Sequence, residues 1–229
     1  MLILYATPVV AEINMGGEMH QYVEQIIWQI DDAPAKLKSM DLERDKLIRA
    51  AAVAIGQANN VTRNFASNAW GTFAHHHGLA ELRNQFVGPK WKIDRSEGIE
   101  SIINDVKMLK VTFQNVDVAM GVNDPKPRSP KGAGAERACE GNLAPLFPDA
   151  PIYVPVVSDI YELWSLMVDE TGNLELSRPV VQDKTFSICR ERILIATADD
   201  WMGSDPAPSS GTDDVADDFD VNVSLKRKI

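Results

Sequence analysis

The sequence predicts an α+β fold in which a helical N-terminal half packs with a mainly antiparallel β-sheet and an acidic tail follows. Three observations carry this. Apolar residues from Leu37 to Phe73 recur at three- and four-residue spacings; from Lys110 onward they alternate in short β-branched runs; and residues 203–225 hold six acids and no base. With 229 residues, 45% hydrophobic and 24% charged, the chain has the composition of a folded protein and is long enough to bury a core, which excludes a mostly disordered or fibrous class. A single domain is expected over 1–202, helical over 19–86 and β-rich over 87–202, with 203–229 as an acidic linker and tail.

The first residues, with Leu2, Leu4, Val9 and Val10, suit a short strand. From Met19 to Ile30 the positions of Val23, Ile26, Ile27 and Ile30 predict a helix that stops near Asp31, Asp32 and Pro34. The run Leu37, Met40, Leu47, Ile48, Ala51, Ile55, Ala58, Phe65, Ala69, Phe73 predicts a long helix or a helical hairpin. Gly56 with Asn59 and Asn60 offers one place to bend, and Gly71 or Gly78 another. Glu97 to Leu109 offers one more helix through Ile99, Ile102, Ile103 and Val106. Strands are expected at 110–120, 152–157, 161–168, 174–181 and 185–198, with a short connection at Glu170–Thr171–Gly172–Asn173. After Trp201 the composition is that of a linker, and the alternation of Phe219, Val221, Val223 and Leu225 suits a terminal docking strand. A helical run of this length has no place in a five-stranded barrel, so an OB-fold is not expected.

Charge is distributed unevenly. Lys plus Arg is 23 and Asp plus Glu 33, a net −10, of which residues 203–225 carry six negative charges (Asp205, Asp213, Asp214, Asp217, Asp218, Asp220). The body is nearly balanced. Pro125–Ala135, PKPRSPKGAGA, carries Lys126, Arg128 and Lys131 without an acid, and Arg137 follows. Its prolines and glycines oppose helix and central strand and favour an exposed, partly flexible loop, suited to phosphates or simply to solvent.

The search for catalytic chemistry returns little. His75, His76 and His77 are consecutive, so on a helix they point about 100° apart and cannot all face one ion. Two cysteines, Cys139 and Cys189, are too few for a four-ligand zinc site, and neither has an identifiable histidine base. The glycines of Lys131–Gly134 follow their lysine instead of preceding it, unlike a phosphate loop. Asp169–Glu170 and Asp199–Asp200 read as a turn and a strand exit. No catalytic residue, metal or cofactor is assigned, and an enzyme is the third-ranked reading.

What remains is a binding pattern. Trp91 lies between Lys90 and Lys92, Phe113 follows Lys107 and Lys110, and Phe186 precedes Arg190 and Arg192. Cations neutralise phosphates while aromatic faces stack on bases, the mixture that holds single strands; the same rings also fit a buried core. The candidate contacts are Lys90, Trp91, Lys92, Lys107, Lys110, Lys126, Arg128, Lys131 and Arg137. In plan, the tail GTDDVADDFDVNVSL after a basic and aromatic β region resembles bacteriophage and bacterial single-stranded-DNA-binding proteins with acidic C-terminal tails. The end at Lys226, Arg227, Lys228 and Ile229 departs from that family, which usually finishes in acids or an aromatic. The resemblance implies a non-catalytic binder of single-stranded DNA or RNA in the cytoplasm of a bacterial host. It also implies an acidic tail that competes for the basic groove or recruits a polymerase or other replication or transcription partner. A homo-oligomer is expected, and no membrane partner. The rival class is a protein interaction subunit, or an acidic inhibitor that mimics DNA, making no nucleic-acid contact.

Overall fold

Among the described residues there are eight strands and five short or medium helices. The computed structural model describes residues 7–14, 20–139, 142 and 161–202. In chain order the elements are β1 (Thr7–Asn14), β2 (His20–Trp28), α1 (Ala33–Ser39), α2 (Arg44–Ala58), α3 (Ala69–Phe86), β3 (Lys92–Asp94), a 3-10 turn at Ser96–Gly98, β4 (Ser101–Asn104) and β5 (Leu109–Asn115). Next come α4 (Ala133–Ala138), β6 (Glu162–Val168), β7 (Leu174–Gln182), β8 (Thr185–Ala196) and α5 (Ala198–Met202). The strands form one sheet in the order β1-β2-β8-β7-β6-β5-β4-β3. Five of its pairings are antiparallel; β2 with β8 and β5 with β6 are parallel. The chain is therefore α+β with a mostly antiparallel sheet.

The period-2 rule assigns the two faces. Val111 and Phe113 of β5, Trp164, Leu166 and Val168 of β6, and Ile193 and Ile195 of β8 join Leu37, Leu47, Ala51, Ala54, Leu79 and Leu82 in one core beneath α1, α2 and α3. The alternate positions, with Leu163, Met167, Val181, Phe186 and Cys189 among them, meet Val116, Ala119 and Cys139 in a second, smaller core covered by residues 116–139. Small residues let the helical layer approach closely. A side chain at Gly78 of α3 would place its Cβ 2.4 Å from the Phe113 ring, so only glycine fits that crossing.

The helical hairpin turns at Asn59 and Asn60, one of the two expected bends, whereas Gly71 and Gly78 lie inside α3. The β6–β7 hairpin turns where expected, at Asp169–Asn173, with Gly172 at φ +99° and the Asp169 carboxylate accepting the backbone N–H of Thr171, Gly172 and Asn173. Two expected helices are strands. His20–Trp28 pairs with both β1 and β8, and Ser101–Asn104 pairs with β3 and β5. In both segments β-branched and aromatic residues fit sheet neighbours better than their spacing fits a helix face, so the N-terminal half opens on a β-hairpin. β5 ends at Asn115, short of Met120, because Asp117 closes a loop: its carboxylate accepts the N–H of Val118 (2.7 Å) and Lys126 (2.8 Å). The strand expected at 152–157 and the acidic tail lie outside the described residues. Among the described residues no helix is long and apolar enough to cross a membrane.

Candidate functional site

The loop that carries the basic residues is held at many points. Asp124 accepts the Cys189 N–H (2.8 Å) and the Gln25 side-chain amide (2.7 Å), and Met120 N–H donates to buried Glu175 (2.6 Å). Lys126 Nζ donates to the Phe186 carbonyl (2.6 Å), and Lys131 N–H to the Lys184 carbonyl (2.7 Å). Proline and glycine in this segment thus mark a shaped cover over the second core, not a loose tether.

The late start of β4, at Ser101 opposite Thr112, creates an opening beside this cover. β4 pairs with β5 only along Leu109–Thr112, leaving the Phe113–Asn115 edge free of a strand partner on that side; the Asn115 carbonyl accepts the Arg128 N–H (3.2 Å). The first turns of α3 run along the free edge: Asn115 Nδ2 donates to the Gly71 carbonyl (2.7 Å), and His75 hydrogen-bonds the Phe113 backbone. Two cavities meet there. The outer, about 470 Å³, is lined by Asn68, Trp70, Thr72, His76, Arg128 and Glu170 among others. The inner, about 290 Å³, lies under residues 130–135 against Thr112, Leu163, Ser165, Val181 and Phe186. His75, Gln114 and Lys131 belong to both.

Lys131 is the centre of this arrangement. Its ammonium donates to Gln114 Oε1, an amide oxygen, and lies 5.3 Å from the centre of the Phe186 ring. Among the described residues it has no carboxylate partner. Burial without a counter-ion pulls its amine down to about 8. Burial, helped by the neighbouring His76 and Lys131, also lowers His75, so its imidazole is neutral at pH 7. Burial pushes the Cys139 thiol up to about 12, and it is inert as a nucleophile. Arg128 pairs with Glu170, donates from Nε to the Val116 carbonyl (2.9 Å), and stacks 5.8 Å from the half-buried Trp70 ring. Nearby Glu100 is ion-paired with Arg83 (2.6 Å) and Arg95 (3.3 Å). Lys131 is thus a half-buried cation at the junction of two cavities whose charge its amide partner does not neutralise.

The other cations expected from sequence lie elsewhere. Lys90 pairs with Asp41, and Trp91, 2% exposed, donates from Nε1 to the Asp41 carbonyl (3.0 Å); both line a separate depression against α1 and α2. Lys92 pairs with Asp105 (2.5 Å), and Lys107 occupies the exposed β4–β5 turn. Lys110 is buried and reaches Asp94 (2.7 Å) and Ser96 (2.8 Å). Arg137 is exposed on α4. The rings read as stacking platforms are enclosed: Phe113 is 0% and Phe186 3% exposed, because their strand positions face the two cores. Stacking on Trp91, Phe113 or Phe186 is therefore corrected. Arg128 and Lys131 line one cavity; Trp70, His75 and Gln114 join them there without having been singled out for binding. Gln114 had a signal, since its parity in β5 opposes that of Val111 and Phe113.

His75, His76 and His77 do not converge on an ion, and among the described residues no group of three His, Cys, Asp or Glu does so. No family model matches the chain, and neither a curated protein nor a solved structure matches it.

Proposed function

We propose that the chain is a non-catalytic binder of single-stranded nucleic acid that uses the cleft between α3 and residues 128–139. One observation carries this reading: the Lys131 ammonium stands between two cavities with an amide as its only described side-chain partner. An incoming phosphate would supply the missing charge. Arg128 and Trp70 add a second cation and a half-buried ring at the outer cavity, the combination that retains an unpaired strand. Cavities of 290 and 470 Å³ take a base, a sugar and a phosphate, not a duplex. The six acids of 203–225 supply an internal competitor for the same cations.

The test is a titration of the full chain with a labelled single-stranded oligonucleotide at two salt concentrations. Expected are binding that weakens steeply with salt, at least tenfold loss in Lys131→Met, and tighter binding after removal of 203–229. Unchanged affinity in Lys131→Met and Arg128→Met would remove this cleft from the account. A salt-insensitive dimer in sedimentation with no oligonucleotide shift would instead favour a protein interaction subunit.

A further inference from the structure

Resting on that reading, we infer that the inner cavity receives one nucleobase from the bound strand, with the adjoining phosphate at Lys131 and the neighbouring backbone in the outer cleft. Two adjoining cavities of unlike lining that share His75, Gln114 and Lys131 suit a ligand with two unlike parts. The inner one has an apolar part of Leu163, Val181 and Phe186, and its polar groups are Thr112, Gln114 and Ser165 together with His75, Glu97, Glu100 and Lys131. That mixture is the usual lining of a small-molecule pocket. Its 290 Å³ is at the lower edge of the roughly 300–1,000 Å³ such pockets span, which admits one ring system and excludes a second. The outer cleft is richer in polar side chains and carries Arg128, so the phosphate and sugar belong there.

The pocket is built in advance. Gly134 lies so close to the opposite wall that a Cβ there would come within 2.2 Å of the Glu97 carbonyl, which locks the 130–135 segment against the 3-10 turn. Lys131 N–H on Lys184 and Lys126 Nζ on Phe186 fix the segment to the β7–β8 end of the sheet. A cover segment held at these points costs the ligand little ordering of the protein.

Calorimetric titration of the full chain with the four nucleoside 5′-monophosphates, ribose 5-phosphate and inorganic phosphate tests this. Expected is at least one nucleotide binding tenfold or more tightly than ribose 5-phosphate. Ala135→Leu and Thr112→Ile, which fill the chamber from opposite walls, should erase that difference, whereas Lys131→Met should weaken every phosphate compound. Circular dichroism melting identifies variants that have not folded, and the two filling variants act on different elements. Equal affinity for nucleotides and ribose 5-phosphate overturns the inference; so does a base preference that survives both filling variants in folded protein. If the oligonucleotide binds but no base preference exists, the chamber is empty and the binding cleft stands. If neither oligonucleotide nor nucleotide binds, the nucleic-acid reading fails with it.

Discussion

Lys131 of the cover segment hydrogen-bonds the amide oxygen of Gln114 on β5, and this pair lines the opening left beyond the start of β4. An amide satisfies one ammonium proton and neutralises no charge, so the site keeps its attraction for an anion. Gln114→Glu supplies the missing negative charge and gives up the hydrogen bond that Gln114 Nε2 donates to the Asn115 carbonyl (3.1 Å). The new carboxylate should pair with Lys131, leave the melting temperature unchanged or slightly raised, and weaken oligonucleotide binding at least tenfold. Retained affinity would show that Lys131 does not hold the phosphate.

The same amine sets a pH dependence. Burial lowers Lys131 to about 8, so its charge is present below that value and is lost as pH rises through it. His75 of α3, Glu97 and Glu100 of the neighbouring turn, Cys139 at the end of α4, and Arg128 face the same cavities. His75, held below its ordinary value, is already neutral above pH 7, and the Cys139 thiol at about 12 stays protonated, so neither changes between pH 7 and 9. Oligonucleotide affinity at constant ionic strength should fall roughly tenfold between pH 7 and 9, and a bound phosphate shifts the midpoint upward. Lys131→Arg, whose guanidinium keeps its charge, should flatten the profile.

Gly78→Ala probes the helical layer independently of the cleft. Its new methyl would overlap the Phe113 ring at 2.4 Å, and neither α3 nor β5 can retreat without opening the first core. Overpacking of this kind costs about 1–3 kcal/mol, partly offset by the better helix propensity of alanine. Chemical denaturation should therefore show a lowered midpoint with an unchanged slope.

The helical pair and the last three strands were legible because their signals are local. Leu47, Ala51, Ile55 and Ala58 repeat on one helix face, and Glu170–Asn173 carries its turn chemistry in four consecutive residues. His20–Trp28 was not legible, since Val23, Ile26 and Ile27 stand at helical spacing and the pairing with β8 is supplied by residues far along the chain. The site divides in the same way. Arg128 and Lys131 stand out as cations without nearby acids, but His75 and Gln114 meet them only because β4 starts no earlier than Ser101, which no residue in β4 announces. Enclosure of Trp91 and Phe113 likewise depends on what packs over them, which proximity to lysines in sequence does not encode.

Trp91 separates core from interface directly. It is 2% exposed, meets the Phe86 ring edge-on at 6.4 Å, and places its indole N–H on the carbonyl of Asp41, the left-handed residue that ends α1. Trp91→Ala should cost about 3–5 kcal/mol in a denaturation experiment through the cavity and the lost hydrogen bond. Oligonucleotide affinity of the folded fraction should not change. Loss of binding without loss of stability would restore Trp91 as a stacking platform.

Beneath the cover, Arg192 and Glu175 form a buried ion pair at 2.7 Å, with Arg192 1% and Glu175 0% exposed. Glu175 also accepts the Met120 N–H and the Ser177 hydroxyl, both at 2.6 Å, and Arg192 lies 3.7 Å from Asp124, so the pair ties the sheet to both ends of the 120–124 loop. Removing one partner strands the other charge: Glu175→Leu should cost about 3–5 kcal/mol, read as a lower denaturation midpoint. The double variant Glu175→Leu with Arg192→Met should recover part of that loss, because no isolated charge remains, yet it still leaves the Met120 N–H without its acceptor. Residues 117–131 should consequently become more susceptible to limited proteolysis in both variants, and oligonucleotide affinity should fall even where stability has been regained. If the double variant restores stability, protease resistance and affinity together, the pair acts on the sheet alone and the cover holds Lys131 in place without it.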